Sequence, residues 1–274
     1  MNKIESLEQY KALKKMAKDN DYKLSNCYFM PDVLQQKITA GVLYTQEIEK
    51  GVLILEDCNM FYRCYYYLSY ETPKQDVVLE KDAVIEFPFN SVLNAKQETQ
   101  ISLLESFGFT LGRNSGLMKA EKKNVVNQYF KENDYKYESA DPEDAIGILD
   151  LLYKTFNPLY AFLPTENELG NLINENKVIV VRNNQSIAGA LISNVDKQTA
   201  SIMQLAVNDK YRRQGIAKKL VQDYHNKYIN DVDSFQHWVD LENRNAINLY
   251  QNFGYEFTLR KANEYILLKE GEKR

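Results

Sequence analysis

Residues 199–220, TASIMQLAVNDKYRRQGIAKKL, decide the reading of this chain. TASIMQLAV reads as a strand, and a helix is expected from about 214 to 229, with Ile216, Leu220, Tyr224 and Tyr228 at i, i+4, i+8 and i+12. Between strand and helix, five basic side chains crowd around Gly215 within residues 210–220. Such a run suits a nucleic-acid patch, a solvated helix start or a phosphate cradle. The chain carries a net charge of −4 and a sequence pI near 5.5, which argues against a general polyanion binder and leaves a small anion.

Position separates the last two readings. A helix N-terminus presents unpaired backbone N–H groups and the positive end of the helix dipole. A basic first turn opposes that dipole, so a purely decorative helix start would favour Asp or Glu. Arg212, Gly215 and Ala217 follow the spacing Arg/Gln-x-x-Gly-x-Gly/Ala, in which glycine removes the side chain that would hold an anion away from the backbone. The amides of Arg213 through Ala217 are therefore expected to wrap a pyrophosphate as a nest.

The pattern extends outward. KVIVVRN (177–183), SIAGALIS (186–193) and TASIMQLAV are read as consecutive strands, the first turn formed by Asn183, Asn184 and Gln185. FQHWVDL (235–241) is a further strand, NAINLYQNF a helix ended by Gly254, and YILLK (265–269) a last strand. Upstream, YKYES (135–139) is a short strand, Asp141 and Pro142 open a helix, and another helix covers about 166–175. This order gives an α/β or α+β domain of mixed sheet and flanking helices.

Two of these segments, LAVNDKYRRQGIAKKL and VDLENRNAINLYQNFGYE, resemble the two cofactor motifs of the GNAT acetyltransferase superfamily, in its order and at about its spacing. The resemblance covers about 135–274. It implies that acetyl-CoA lies between splayed parallel strands, here TASIMQLAV and FQHWVDL. Leu205, Ala206 and Val207 would pair with the pantetheine arm, and the loop of Arg212, Arg213, Gln214, Gly215, Ile216, Ala217 and Lys218 would hold the pyrophosphate. Asn243 would bond the cofactor arm, Ala246 would keep its helix close to that arm, and Tyr250 takes the position of the family's general acid. A thiol near ~8.5 and a tyrosine near ~10 make proton donation to a leaving sulfur feasible, with a strand amide near Val207 at the oxyanion.

No general base stands out; Glu166, Glu168, Gln204 through a water, and the Asp240–Glu242 pair are the candidates. His237 is read as strand core and His225 as helix surface. Two distant histidines and no thiol pair support no metal site.

In the first half, residues 5–18 carry a helical stripe. GVLILED (51–57), NMFYRCYYYLSY (59–70) and AVIEFPF (83–89) read as strands, with Pro88 placing the last at an edge or bulge. ISLLESFGF (101–109) is a helix stopped by Gly108, and 119–134 is taken as a connection. LLESFGFTLGRNSGLMK (103–119) echoes LYQNFGYEFTLRKANEYILLK (249–269), which suggests a tandem of two related folds. Only ETPKQDVVLEKD joins the central strands, with no Gly-x-Gly/Ala loop, and Leu104 stands where the echo has Tyr250. The aromatic run Phe61, Tyr62, Tyr65, Tyr66 and Tyr67 is sheet packing or, alternatively, an acceptor pocket.

The expected organisation is a degenerate GNAT-like domain over 1–133, without a cofactor loop, and an acetyltransferase domain over 134–274. The expected reaction is transfer of acetyl from acetyl-CoA to a primary amine of a small-molecule or peptide acceptor, with no metal; the alternative is an acyl-CoA sensor. At 44% hydrophobic and 26% charged residues the composition is that of a globular protein. Three cysteines without CxxC spacing read as free thiols. Together with no signal-peptide core and no long apolar run, they point to a cytoplasmic protein without membrane or nucleic-acid partners. A homodimer is an open assembly.

Overall fold

The computed structural model describes residues 1–127, 135–183 and 186–269. The chain divides into two compact units, unit 1 of residues 1–114 with 262–274 and unit 2 of residues 115–261. This differs from the expected 133/134 division. The stretch from 119 is not a pure connection: its first residues complete a long strand, whose partners are distant in sequence and therefore invisible to local pattern. Residues 128–134, and Asn184 and Gln185 of the expected turn, lie outside the described residues.

Unit 1 begins with β1 (Asn2–Lys3), α1 (Leu7–Asp19), β2 (Leu24–Ser25) and α2 (Pro31–Ala40). The strands β3 (Leu43–Ile48), β4 (Gly51–Asp57), β5 (Phe61–Leu68) and β6 (Asp82–Asn90) follow, then α3 (Ala95–Ser106). Neither α2 nor β3 was legible in the sequence. The strands run in the order β1-β3-β4-β5-β6, antiparallel up to β5, with β5 and β6 parallel. Pro88 costs the β5–β6 ladder nothing, because that pairing ends at Val84. The aromatic run of β5 packs both faces of the sheet: Tyr62 and Tyr66 join Leu24, Leu53 and Phe107 in one cluster, while Tyr67, with Tyr65 beside it, joins Tyr10, Leu34 and Ile38 in the other. Alternation of side chains along a strand explains both clusters, and sheet packing is the reading that stands. Cys27 and Cys64 are buried free thiols, and Cys58 is a half-buried one.

β7 (Thr110–Glu121) crosses from unit 1 into unit 2. Unit 2 then carries β8 (Lys136–Ser139), α4 (Ala145–Thr155), α5 (Pro158–Ala161), α6 (Glu166–Asn174), β9 (Val178–Asn183), β10 (Ser186–Asp196) and β11 (Thr199–Val207). It continues with α7 (Ile216–Tyr228), β12 (Ser234–Asp240) and α8 (Arg244–Gln251). The last strand, β13 (Glu256–Leu267), begins well before the expected 265 and returns to unit 1. The order is β7-β12-β11-β10-β9-β8, antiparallel except for the parallel pair β11–β12. Each unit is thus a mixed sheet with helices, the α/β class expected. Among the described residues no helix is long and apolar enough to cross a membrane.

The sequence echo has a backbone counterpart. After α3, Gly108 donates to the Glu105 carbonyl and Phe109 to that of Leu104; after α8, Gly254 donates to Gln251 and Tyr255 to Tyr250. Both glycines are left-handed, at φ +92° and +87°, as helix-terminating residues of this kind require. Gly254 is further fixed by space, since a Cβ there would lie 2.1 Å from the Asn124 carbonyl oxygen. Tyr250 and Leu104 occupy the same place in the two helix ends.

One core of unit 2 lies under α7 and α8, and His225 sits inside it rather than on the helix surface. The imidazole is 1% exposed, donor or acceptor to the Tyr255 hydroxyl at 2.9 Å, and packed against Phe235 and Phe253. The buried stripe of α7 is wider than its i, i+4 core, taking in Val221 and His225 beside Leu220 and Tyr224. Burial lowers the His225 pKa from 6.5 to about 4. The unfolded chain therefore takes up a proton, as pH falls below its own value, that the folded chain refuses. Stability is complete above about pH 6.5 and falls by about 3 kcal/mol on the way to about pH 4. Urea titrations near those two pH values are expected to show that loss in the wild type and a loss smaller by about that amount in His225→Phe.

Candidate functional site

The site is built on a parting of two strands. β11 and β12 pair in parallel only over Thr199–Ile202 and Ser234–His237, and beyond this they separate. The cause is local. The β10–β11 register shifts between Ile192 and Ser193, which face Gln204 and Ile202, so Met203 is an extra residue in β11. A bulge of this kind bends a strand and raises its twist. It also reverses the alternation: Ala200 and Ile202 face the core under α7 and α8, whereas Gln204 is buried and Ala206 faces the core under α4 and α6. Leu205 and Val207 then pack toward the α7 side.

Backbone direction follows from the same register. Asn208 donates to the Ala188 carbonyl at 2.9 Å, so alternation along an antiparallel pair turns the N–H and C=O groups of Leu205 and Val207 away from β10, toward the parting. Among the described residues no strand pairs with that edge beyond Ile202. Of the three strand residues expected to bind through their backbone, Leu205 and Val207 present theirs to the opening; Ala206 points its own at β10 and contributes its small side chain to the core.

The loop that follows is tightly folded. A single 3₁₀ turn covers Asp209–Tyr211, with the Asn208 side chain accepting from Lys210. The Arg212 Nε reaches the Val207 carbonyl at 3.4 Å, and its guanidinium pairs with Asp209 at 2.7 Å. Gln214 is held by the Tyr135 hydroxyl, which donates to its Oε1. Arg213 and Gly215 are both left-handed, at φ +62° and +82°. Gly215 is the N-cap of α7 and supplies no side-chain cap, so the amides of Ile216, Ala217 and Lys218 begin the helix without one. Nothing lies within 4 Å of the position a Gly215 Cβ would take. The glycine is demanded by backbone angle, not by crowding, and the space in front of it is clear of protein among the described residues. Ile216 is buried and anchors the turn, whereas Arg213 and Lys218 form no ion pair among the described residues.

Across the parting, Asp240 ends β12 and accepts from the Glu242 amide at 2.8 Å. Asn243 then caps α8, its Oδ1 accepting from the Ala246 amide at 3.1 Å. The expected bond from Asn243 to a cofactor arm would have to use the other half of that amide, Nδ2. Tyr250 projects from α8 into the core, 2% exposed, with its ring centroid 4.5 Å from that of His237 and 5.4 Å from that of Tyr255. Burial raises its pKa, so its hydroxyl keeps the proton throughout the neutral range. His237 is not plain core. It is half-buried at the last residue of β12 that pairs with β11, and its Nδ1 bonds the Ile202 carbonyl at 2.9 Å. Sequence periodicity placed the ring on the right face; its place at the end of the parallel ladder needed the strand pairing.

The candidate bases fare differently. Glu168 is spent on a capping box with Thr165, and Glu166 lies exposed in the same helix start. The buried Gln204 donates to the carbonyls of Ala161 and Phe162 at 3.1 and 3.2 Å, which pins the connection between α5 and α6 to the sheet. Its Nε2 is thereby spent on positioning that connection, while the buried Oε1 accepts from no group among the described residues. Among the described residues no His, Cys, Asp and Glu side chains gather in a metal-holding group.

Residues 146–255 match the model of the Acetyltransferase (GNAT) family. Among solved structures the chain is similar to an acetyltransferase of the GNAT family from Colwellia psychrerythraea, at 14% identity over 98% of this chain and 99% of that one, with a TM-score of 0.53. It is also similar to GCN5-related N-acetyltransferases from Sphaerobacter thermophilus (13% identity, 80% and 81% covered, TM-score 0.54) and Kribbella flavida (13%, 88% and 94%, 0.51). At these identities the likeness is one of fold. Among curated proteins no sequence matches the chain.

Proposed function

We propose that this chain, whose residues 146–255 match the model of the Acetyltransferase (GNAT) family, transfers an acetyl group from acetyl-CoA to a primary amine of a small-molecule or peptide acceptor, by direct attack while both substrates are bound. The observation that carries the reading is the uncovered edge of β11, Leu205 and Val207, leading straight into the left-handed turn at Gly215 and the N-terminus of α7. A strand edge suits an amide-bearing arm, and a helix start with clear space before it suits a pyrophosphate. The two lie in the order that one extended ligand requires.

Leu205 and Val207 would bond the pantetheine amides, and Ile216, Ala217 and Lys218 would donate backbone N–H groups to the pyrophosphate, with Arg212, Arg213 and Gln214 around it. Bound acetyl-CoA supplies an electrophilic thioester carbonyl and a thiolate leaving group. Tyr250 holds a proton for the departing sulfur, and a strand amide near Val207 bonds the oxygen on which negative charge develops. Asn243 keeps the start of α8 beside the arm. Unit 1, which lacks a glycine loop after β5, is a degenerate relative of unit 2.

Free-thiol release measured against an amine library with acetyl-, propionyl- and succinyl-CoA tests the reading. Amine-dependent release with acetyl-CoA is the expected result. Binding of acetyl-CoA with no release for any amine would overturn it in favour of a sensor.

A further inference from the structure

Unit 1 repeats the parting of strands without leaving it open. β5 and β6 pair in parallel only over Phe61–Arg63 and Asp82–Val84. β4 covers one edge of β5 all the way from Tyr62 to Leu68, so the segment beyond Arg63 has its other edge uncovered by β6. In unit 2 that same edge of the corresponding strand, β11, is the one presented to the opening.

In unit 1 the edge is taken by the chain itself. β2 lies antiparallel on β5, with Leu24 opposite Leu68 and Ser25 opposite Tyr67. Asn26 continues the ladder with its side chain: Oδ1 accepts from the Tyr66 amide at 2.9 Å, and Nδ2 donates to the Cys64 carbonyl at 3.4 Å. A carboxamide offering one acceptor and one donor in this way reproduces what a peptide unit, or the amide of a pantetheine arm, would offer. We infer that residues 24–26 are a built-in occupant of the strand parting in unit 1, standing where, on the reading proposed for unit 2, the pantetheine arm would lie. Unit 1 is thereby closed to acyl-CoA, and the chain takes one such ligand.

Both ends of the insert are anchored. Leu24 is fully buried in the cluster that holds Tyr66 and Leu68. The Cys27 amide donates to Ser25 Oγ at 3.0 Å, its thiol lies 3.2 Å from the Tyr10 hydroxyl, and that hydroxyl lies 3.3 Å from the one on Tyr67. Lifting the segment would expose both apolar clusters and strand the Tyr66 amide, a cost that a ligand would have to meet before gaining anything. The far end of β5 is closed too. Buried Thr72 donates through Oγ1 to the Lys50 and Ser69 carbonyls and accepts from the Ser69 amide, and residues 69–81 contain no helix whose N-terminus would hold a phosphate.

In unit 2 the connection between the helices that precede the meander is held differently, by Gln204 gripping the Ala161 and Phe162 carbonyls from the face of the sheet. The same topological connection thus enters the strand parting in one unit and stays out of its ladder in the other.

Amide hydrogen exchange on the full chain tests this. The Tyr66 amide is expected to be protected in the free protein and to change by less than about twofold with saturating acetyl-CoA, whereas Asn26→Ala speeds its exchange about tenfold. A Tyr66 amide that exchanges as freely as an unbonded one, or that slows markedly with acetyl-CoA, would overturn the inference. Residues 203–207 provide the separate readout for unit 2. Failure of that segment to slow with acetyl-CoA would count against the proposed function alone, since Tyr66 reports on the insert whether or not unit 2 binds.

Discussion

Tyr250→Phe is expected to lower turnover by about 100-fold while leaving the acetyl-CoA dissociation constant within about twofold of the wild type. The substitution removes one oxygen from a ring that is otherwise fully packed against His237 and Tyr255. The ring, and with it the seating of α8, should survive. What is lost is a proton held in place by burial, which raises the tyrosine pKa and keeps the group in its acid form. Without that donor the sulfur must leave as a bare thiolate or take a proton from water. A departing thiol of low basicity needs the donor less, so the deficit should shrink when the thioester carries a better leaving group. Rapid-quench turnover and equilibrium binding on the same preparations separate the two effects. Unchanged turnover would assign Tyr250 to packing alone.

The features read correctly from sequence are those written in local, period-coded form. Thr199–Val207 is a run of the right length between turn residues, and Gly215 is the left-handed residue that caps the start of α7. The helix–glycine–strand echo was legible for the same reason, since a left-handed glycine after an amphipathic helix is a local event. What escaped was decided by pairing over distance. His225 is polar by type, and its partner Tyr255 lies 30 residues onward, so nothing nearby announces its burial. The division between units was placed at a charged connection, yet β7 and β13 carry the chain across it, each stabilised by partners far away in sequence.

The bulge at Met203 and the insert at Leu24–Ser25 escaped more completely, although they explain why one strand parting is open and the other filled. A bulge is a mismatch of register between two strands, and a two-residue strand has no period to detect. Asn26 shows the same limit from another side. A lone asparagine in a loop is ordinary turn chemistry until the strand it completes is known.

Gly215→Val should weaken acetyl-CoA binding by about 10- to 100-fold and lower stability by only about 1–3 kcal/mol. Gly215 sits at φ +82° and ψ −2°, where a β-branched residue is disfavoured whatever its surroundings. Its surroundings are clear, because nothing lies within 4 Å of the added Cβ. The valine therefore strains the backbone without striking the protein, and its methyl groups enter the space in front of the α7 amides. Relaxing the strain would turn those amides away from a common focus; keeping it would leave a side chain where the pyrophosphate is proposed to lie. Either outcome weakens binding. Gly170→Ala supplies the control, since Gly170 also has nothing within 4 Å of a Cβ but lies within α6 with an ordinary helical backbone. That change should leave binding alone and add about 0.5–1 kcal/mol of stability. Calorimetric titration of both variants with acetyl-CoA decides the matter. Equal affinity for Gly215→Val and wild type would remove the loop from the binding site, and with it the helix start as the seat of the phosphates.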